Sequence, residues 1–211
     1  MTVLSNESLS PLFEGQRLMA ILRGFGVDRS VALARQAWDL GINCVEVPIQ
    51  SERDLDALRA VVAAGAEIGK SVGAGTVVSR EHVRQARDAG AAFTVSPGYD
   101  MEVVRASFDS GMPPLPGVAT ASEVQAALTS GLTWLKAFPA SVLGQRWFTT
   151  MSGPFPQVKF VATGGMDASN AESYLASGVS IVAVGSALAD PAQLPLLATI
   201  VGNRKSLASR S

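Results

Sequence analysis

The sequence predicts a single-domain (β/α)8 barrel, an α/β fold, with an extra N-terminal helix. Three observations predict it. First, a small residue or leucine followed by glycine recurs at Leu40-Gly41, Ala64-Gly65, Ala89-Gly90, Ser110-Gly111, Ser130-Gly131 and Ser177-Gly178. Most of these glycines lie roughly 20–25 residues apart, the length of one helix plus one strand, and the last gap is about double, with Ser152-Gly153 in its middle. Each pair ends an amphipathic segment and precedes an apolar run, the signal of a left-handed cap followed by a strand. Second, 211 residues at 47% hydrophobic content suffice for one sizeable core, so 1–211 reads as one domain. Third, no Gly-x-Gly-x-x-Gly follows an early strand, which weighs against the runner-up, an open doubly wound sheet.

The elements follow in order. A helix at 8–14 precedes the first strand and would close the barrel's bottom. Strands are expected at 18–22, 43–48, 71–75, 92–96, 115–119, 133–138, 159–163 and 180–185. Helices are expected after each, at 29–40, 52–63, 80–89, 101–109, 122–129, 144–151, 171–177 and 193–204. Thr120 with Glu123, and Ser169 with Glu172, have the spacing of capping boxes, and Asp28 suits the N-cap of the first repeated helix.

Composition excludes several functions. The formal net charge of -1 offers no basic field to nucleic acid. One cysteine, Cys44, forbids an intramolecular disulfide, and one Cys with one His forbids the usual zinc site. The polar stretch 1–15 lacks a signal peptide's pattern, and the apolar run 181–188 is too short to span a bilayer. The expectation is a cytoplasmic protein with no membrane, nucleic-acid or metal partner.

Chemistry in a barrel gathers where strands end and βα loops begin. Lys136 is the lone charge in the apolar strand Trp134-Leu-Lys-Ala-Phe-Pro139. One reading is an edge lysine whose head snorkels to water. The other is an inward amine, because Trp134, Lys136 and Phe138 share a face. Desolvation would keep such an amine neutral and nucleophilic towards ketones. Glu46 follows the same alternation in Cys44-Val-Glu-Val-Pro48, with the valines facing the helices. It reads as a carboxylate paired with a buried cation, or as a general acid/base. An inward lysine and an inward glutamate from different strands are what Schiff-base chemistry on a ketone requires.

Thr163-Gly164-Gly165 and Gly185-Ser186 end the last two strands, where bare N–H groups can hold a phosphate. His82 reads as a solvated residue of a helix start, and Cys44 as a small core residue. Trp38 and Phe108 fit helix faces packed on the barrel, and the charges of 51–56 a solvated helix start.

These pieces resemble the bacterial 2-keto-3-deoxy-6-phosphogluconate and 4-hydroxy-2-oxoglutarate aldolase family, and most closely its phosphogalactonate branch. The matching segments are Met19-Ala-Ile-Leu-Arg-Gly24, Val45-Glu-Val-Pro-Ile-Gln-Ser51, Val72-Gly-Ala-Gly-Thr-Val77, Val95-Ser-Pro-Gly98, Pro116-Gly117, Leu135-Lys-Ala-Phe-Pro139 and Ala162-Thr-Gly-Gly165. The resemblance implies a cofactor-free, metal-free class I aldolase acting as a homotrimer of barrels. It implies cleavage of a phosphorylated 2-keto-3-deoxy sugar acid to pyruvate and D-glyceraldehyde 3-phosphate. It also allows 4-hydroxy-2-oxoglutarate, which yields pyruvate and glyoxylate. It makes Lys136 the Schiff-base lysine and Glu46 the general acid/base. It puts Thr76 near the pyruvyl carboxylate, Arg23 at the mouth, Pro97 and Phe138 on the walls, and Gly164, Gly165 and Ser186 on the phosphate. One departure stands out. Gln50 occupies the position of an arginine that holds the substrate carboxylate in the phosphogluconate branch, so Gln50 is a candidate contact and Arg23 the expected anion partner.

Two other functions use the same barrel. A phosphosugar isomerase or epimerase would need Glu46 and the phosphate loops but not Lys136. A non-catalytic phosphate-binding relative would need the glycines alone.

Overall fold

Pro116 sets how the sheet closes. A proline has no N–H to give a neighbouring strand, so a central stave that contains one must break there. In the computed structural model, which describes residues 4–202, the expected strand 115–119 is two short strands on either side of it. The strands are β1 (Leu18–Ile21), β2 (Cys44–Pro48), β3 (Val72–Gly75), β4 (Phe93–Val95), β5 (Pro114–Leu115), β6 (Gly117–Val118), β7 (Trp134–Ala137), β8 (Lys159–Thr163) and β9 (Ile181–Val184). All pair in parallel, in the order β5-β4-β3-β2-β1-β9-β8-β7-β6. The two ends of that order, β5 and β6, are halves of one stave. Leu115 pairs with Val95, Gly117 pairs with Lys136, and the Pro116 carbonyl accepts the Lys136 N–H at 2.8 Å. The result is a barrel of eight staves.

Helices surround it: α1 (Ser10–Phe13), α2 (Val27–Asp39), α3 (Glu52–Ala66), α4 (Arg80–Asp88), α5 (Met101–Asp109), α6 (Ala121–Thr129), α7 (Ala140–Leu143), α8 (Gln145–Met151), α9 (Ala171–Ala176) and α10 (Leu194–Gly202). Alternation divides the strands between two cores. Outward residues such as Val45, Val47, Leu135 and Ala137 pack under the helices with Trp38 and, half-buried, Phe108. Inward residues such as Met19, Cys44, Phe93 and Trp134 fill the barrel's lower half. The expected N-terminal helix is a 3-10 turn, Glu7–Leu9, running into α1, and it does plug the bottom. The Phe13 ring meets Phe93 and Trp134 edge-on at 5.4 and 5.2 Å. Asn6 completes the floor. Its side chain donates to the carbonyls of Pro114 and Trp134 at 2.9 and 2.8 Å and accepts the N–H groups of Thr133 and Trp134. One amide thus takes the place of strand pairing between β5 and β7, where the broken stave leaves none.

Several local expectations change. The capping box of Thr120 and Glu123 is present. That of Ser169 and Glu172 is not: Asp167 captures the Ser169 hydroxyl and the N–H groups of Ser169 and Asn170. Asn170 is the N-cap of α9, and Glu172 pairs with Arg17 at 3.0 Å. Asp28 lies inside the first turn of α2, whose N-cap is Gly26. Ala64-Gly65 lies within α3, which runs to Ala66, and the glycine serves a close approach there: a Cβ at Gly65 would stand 2.7 Å from the Lys70 carbonyl. The turn comes at Gly69 instead, where φ is 66°. The expected helix 144–151 is preceded by a further turn, α7, with Gly144 at φ 75° between them. The expected last helix reaches 204, and its final residues lie outside the described ones.

Candidate active site

Glu46 and Lys136 point into the barrel from β2 and β7, as alternation requires, and meet across it. Lys136 is 3% and Glu46 1% exposed. Nζ and Oε1 lie 3.9 Å apart, an ion-pair distance too long for a hydrogen bond. Glu46 Oε2 is buried and has no partner. An unpaired buried oxygen costs about 1–3 kcal/mol, so such atoms persist where a ligand or a reaction uses them. Two inward glycines of β3 make the room. A side chain at Gly73 would run into the Phe93 ring, and a Cβ at Gly75 would stand 3.1 Å from the Glu46 carboxyl carbon.

Burial pushes the Glu46 carboxyl above its ordinary range, against the pull of Lys136 and Arg23. Burial likewise holds the Lys136 ammonium below its ordinary range; Glu46 opposes this and Arg23 adds to it. Each group is therefore driven towards its neutral form, an amine and a carboxylic acid, which is what attack on a carbonyl needs. The snorkelling alternative for Lys136 does not hold. Its Nζ lies 5.4 Å from the centroid of the Phe138 ring, beneath the cavity mouth.

That mouth is a cavity of about 430 Å³ over the ends of β1, β7, β8 and β9. Arg23, Phe138, Gly164, Gly165 and Ser186 line it, as expected. Gly164 and Gly165 have φ of 97° and 73°. A Cβ on Gly164 would stand 3.1 Å from the Phe138 ring, and one on Gly165 would collide with Ser141 Oγ. These glycines thus serve the turn as well as leaving N–H groups bare. Thr76 follows Gly75 at φ 57°, a conformation that costs a β-branched residue about 1–3 kcal/mol and marks functional sites. The Pro97 carbonyl fills the space a Gly117 side chain would take. Gln50 is not brought to this cavity: it is exposed and lines a separate crevice with His82 and Gln85. Thr163, inward at the end of β8, also lines the cavity; the sequence reading named it in the strand-end motif but assigned only the glycines after it to the phosphate.

A family model described as KDPG and KHG aldolase matches residues 11–196. The chain belongs to that family. It is 35% identical over 181 residues to a 2-dehydro-3-deoxy-phosphogluconate aldolase of Treponema pallidum, covering 85% of each chain. It is 33% identical over 175 residues to a probable 2-dehydro-3-deoxy-6-phosphogalactonate aldolase of Rhizobium meliloti, covering 82% of each. Among solved structures it is similar to KDPG aldolase from Legionella pneumophila with pyruvate captured as a covalent carbinolamine intermediate. The TM-score is 0.77 at 29% identity, covering 90% of this chain and 94% of that one. The two relatives come from both substrate branches at nearly equal identity.

Among the described residues no cluster of His, Cys, Asp or Glu is arranged to hold a metal ion, and no helix is long and apolar enough to cross a membrane. Cys44 is buried, with its thiol on the Leu12 carbonyl at 3.1 Å and its pKa pushed by burial to about 12, so it stays a core residue.

Proposed function

We propose that the protein is a class I aldolase that cleaves a 2-keto-3-deoxy-6-phospho sugar acid to pyruvate and D-glyceraldehyde 3-phosphate. One observation carries the reading: Lys136 and Glu46 are buried together at 3.9 Å with one carboxyl oxygen unpartnered. The neutral amine adds to the C2 carbonyl, and Glu46 gives its proton to the carbonyl oxygen, forming a carbinolamine. Loss of water leaves an iminium. Glu46, now a carboxylate, takes the proton of the C4 hydroxyl. The C3–C4 bond breaks, its electron pair passes into the iminium as an enamine, and the aldehyde departs. Protonation at C3 and hydrolysis free pyruvate and the amine. An isomerase would use Glu46 but has no task for Lys136.

In this scheme Thr76 would hold the pyruvyl carboxylate, and Pro97 and Phe138 would wall the reacting carbons. Gly164, Gly165 and Ser186 receive the phosphate, and Arg23 supplies positive charge at the mouth. No cofactor or metal enters the scheme, and activity should persist in EDTA. Either C4 epimer of the substrate fits it, and 4-hydroxy-2-oxoglutarate is a smaller alternative. We further propose a homotrimer of single-domain barrels in the cytoplasm. Borohydride reduction with pyruvate, followed by mass mapping, tests the chemistry. A reduced pyruvyl group on Lys136 alone is expected; no adduct, or one on Lys70 or Lys159, overturns it.

A further inference from the structure

Most arginines on this surface are neutralised. Arg17, Arg35, Arg59, Arg80, Arg84 and Arg87 each face a carboxylate at ion-pair distance. Arg23, Arg29, Arg53, Arg105 and Arg146 have no such partner among the described residues, and the first three surround one loop, residues 22–26, at the cavity mouth. Arg23 lines the cavity. Arg29 lies with its guanidinium carbon 5.8 Å from the centroid of the Phe25 ring, and Phe25 is part of the cavity wall. Arg53 reaches from the first turn of α3 to Gly26, where a Cβ would stand 2.7 Å from its Nη2. Gly26 is thus the seat of that guanidinium. Asp28 and Glu52 are exposed on the same helix turns, yet neither pairs with these arginines.

Three like charges gathered with no carboxylate at ion-pair distance repel one another, and they raise the local concentration of any anion that approaches. The proposed substrate carries a carboxylate at one end and a phosphate at the other. Lys136, behind the Phe138 ring and not itself part of the cavity lining, cannot serve as its counter-charge, because the amine must be neutral to react. We infer that Arg53 and Arg29 form, with Arg23, a cationic rim that draws the doubly anionic keto acid into the mouth and holds it before its carbonyl reaches Lys136. The inference rests on the aldolase reading above and adds two binding residues to it.

The test is steady-state kinetics of the full chain with a 2-keto-3-deoxy-6-phospho sugar acid, comparing wild type with Arg53→Gln, Arg29→Gln and the double variant. Each is run at about 0.01 M and about 1 M salt, where charges are felt over ~30 Å and ~3 Å respectively. In the double variant KM should rise about tenfold at low salt and less than about twofold at high salt, with kcat altered by less than about twofold. Arg53→Lys should restore most of the loss seen in Arg53→Gln, because the rim acts through charge. An unchanged KM at low salt overturns the rim. So does an equal rise at both salt concentrations, which would mean a distorted loop. The pyruvate–borohydride adduct separates the two readings: an adduct on Lys136 beside an unchanged KM sinks only the rim, whereas a missing wild-type adduct sinks the aldolase.

Discussion

Replacing Glu46 by Gln separates the two tasks proposed for the carboxyl. The amide keeps the shape, but it carries no charge and exchanges no proton. A carboxylate 3.9 Å from an ammonium attracts it by about 4 kcal/mol at an effective dielectric constant of ~20. That attraction is the one influence that raises the pKa of Lys136 against burial and Arg23. Without it the lysine pKa falls further, so the amine is neutral down to lower pH. Trapping of pyruvate by borohydride should therefore persist in the variant, and its acid limb should move to lower pH. Turnover should drop by about a hundredfold or more, the scale of a lost general acid–base. KM should change much less. The assay pairs a pH series of borohydride trapping with kcat on a phosphorylated sugar acid. Turnover near that of wild type would assign the proton transfers elsewhere. An acid limb that moved to higher pH would refute the electrostatic argument itself.

Further expectations follow from other parts of the structure. Ser186→Asp sets a carboxylate at the end of the cavity proposed for phosphate; kcat/KM should fall far more for the phosphorylated substrate than for 4-hydroxy-2-oxoglutarate, and equal losses would remove the phosphate assignment. Asn6→Ala strips partners from the buried Pro114 and Trp134 carbonyls and the Thr133 N–H, at about 1–3 kcal/mol for each group left unpaired. Denaturant unfolding should show that loss with little change in KM, and a variant as stable as wild type would dismiss the seam. Lys136→Met with Glu46→Leu should abolish activity yet raise stability by about 1–4 kcal/mol at neutral pH, as replacing buried ion pairs with apolar residues often does. The pH dependence has a definite sign. The lysine's cost is absent above its ordinary 10.5 and grows as pH falls towards its lowered folded value. The glutamate's cost is absent below its ordinary 4.5 and grows as pH rises towards its raised folded value. Urea melts should show the gain greatest between those limits, and a gain independent of pH would contradict both shifts.

Strand alternation made the central pair legible. Once Val45, Val47, Leu135 and Ala137 are assigned to the helix side, Glu46 and Lys136 have nowhere to point but inward. Alternation stops helping where a strand stops. Gln50 lies two residues beyond Pro48, the chain has left the sheet, and the side chain opens into another crevice. The broken stave was signalled by Pro116, but an apolar run of suitable length hides a break whose two halves both pair. Competition defeated the second capping box, since Asp167 offers a charged acceptor to the Ser169 N–H and hydroxyl that a box with Glu172 would have used. The left-handed backbone of Thr76 has no sequence signal, because the residue type argues against it. Thr163 was readable: it shares the inward face of Val161, and only attention to the glycines beside it left it out.

The aromatic floor of the barrel turns the site into a cul-de-sac. With Phe13, Phe93 and Trp134 stacked beneath the catalytic pair, nothing enters or leaves from below. Traffic is therefore last in, first out. On the proposed mechanism the keto end of the substrate must go in ahead of its phosphate, and the phosphorylated aldehyde must vacate the cavity before pyruvate, still bonded to Lys136, can follow. Run in reverse, the same geometry obliges pyruvate to load first, so that the aldehyde always meets an enamine already in place and never a bare lysine.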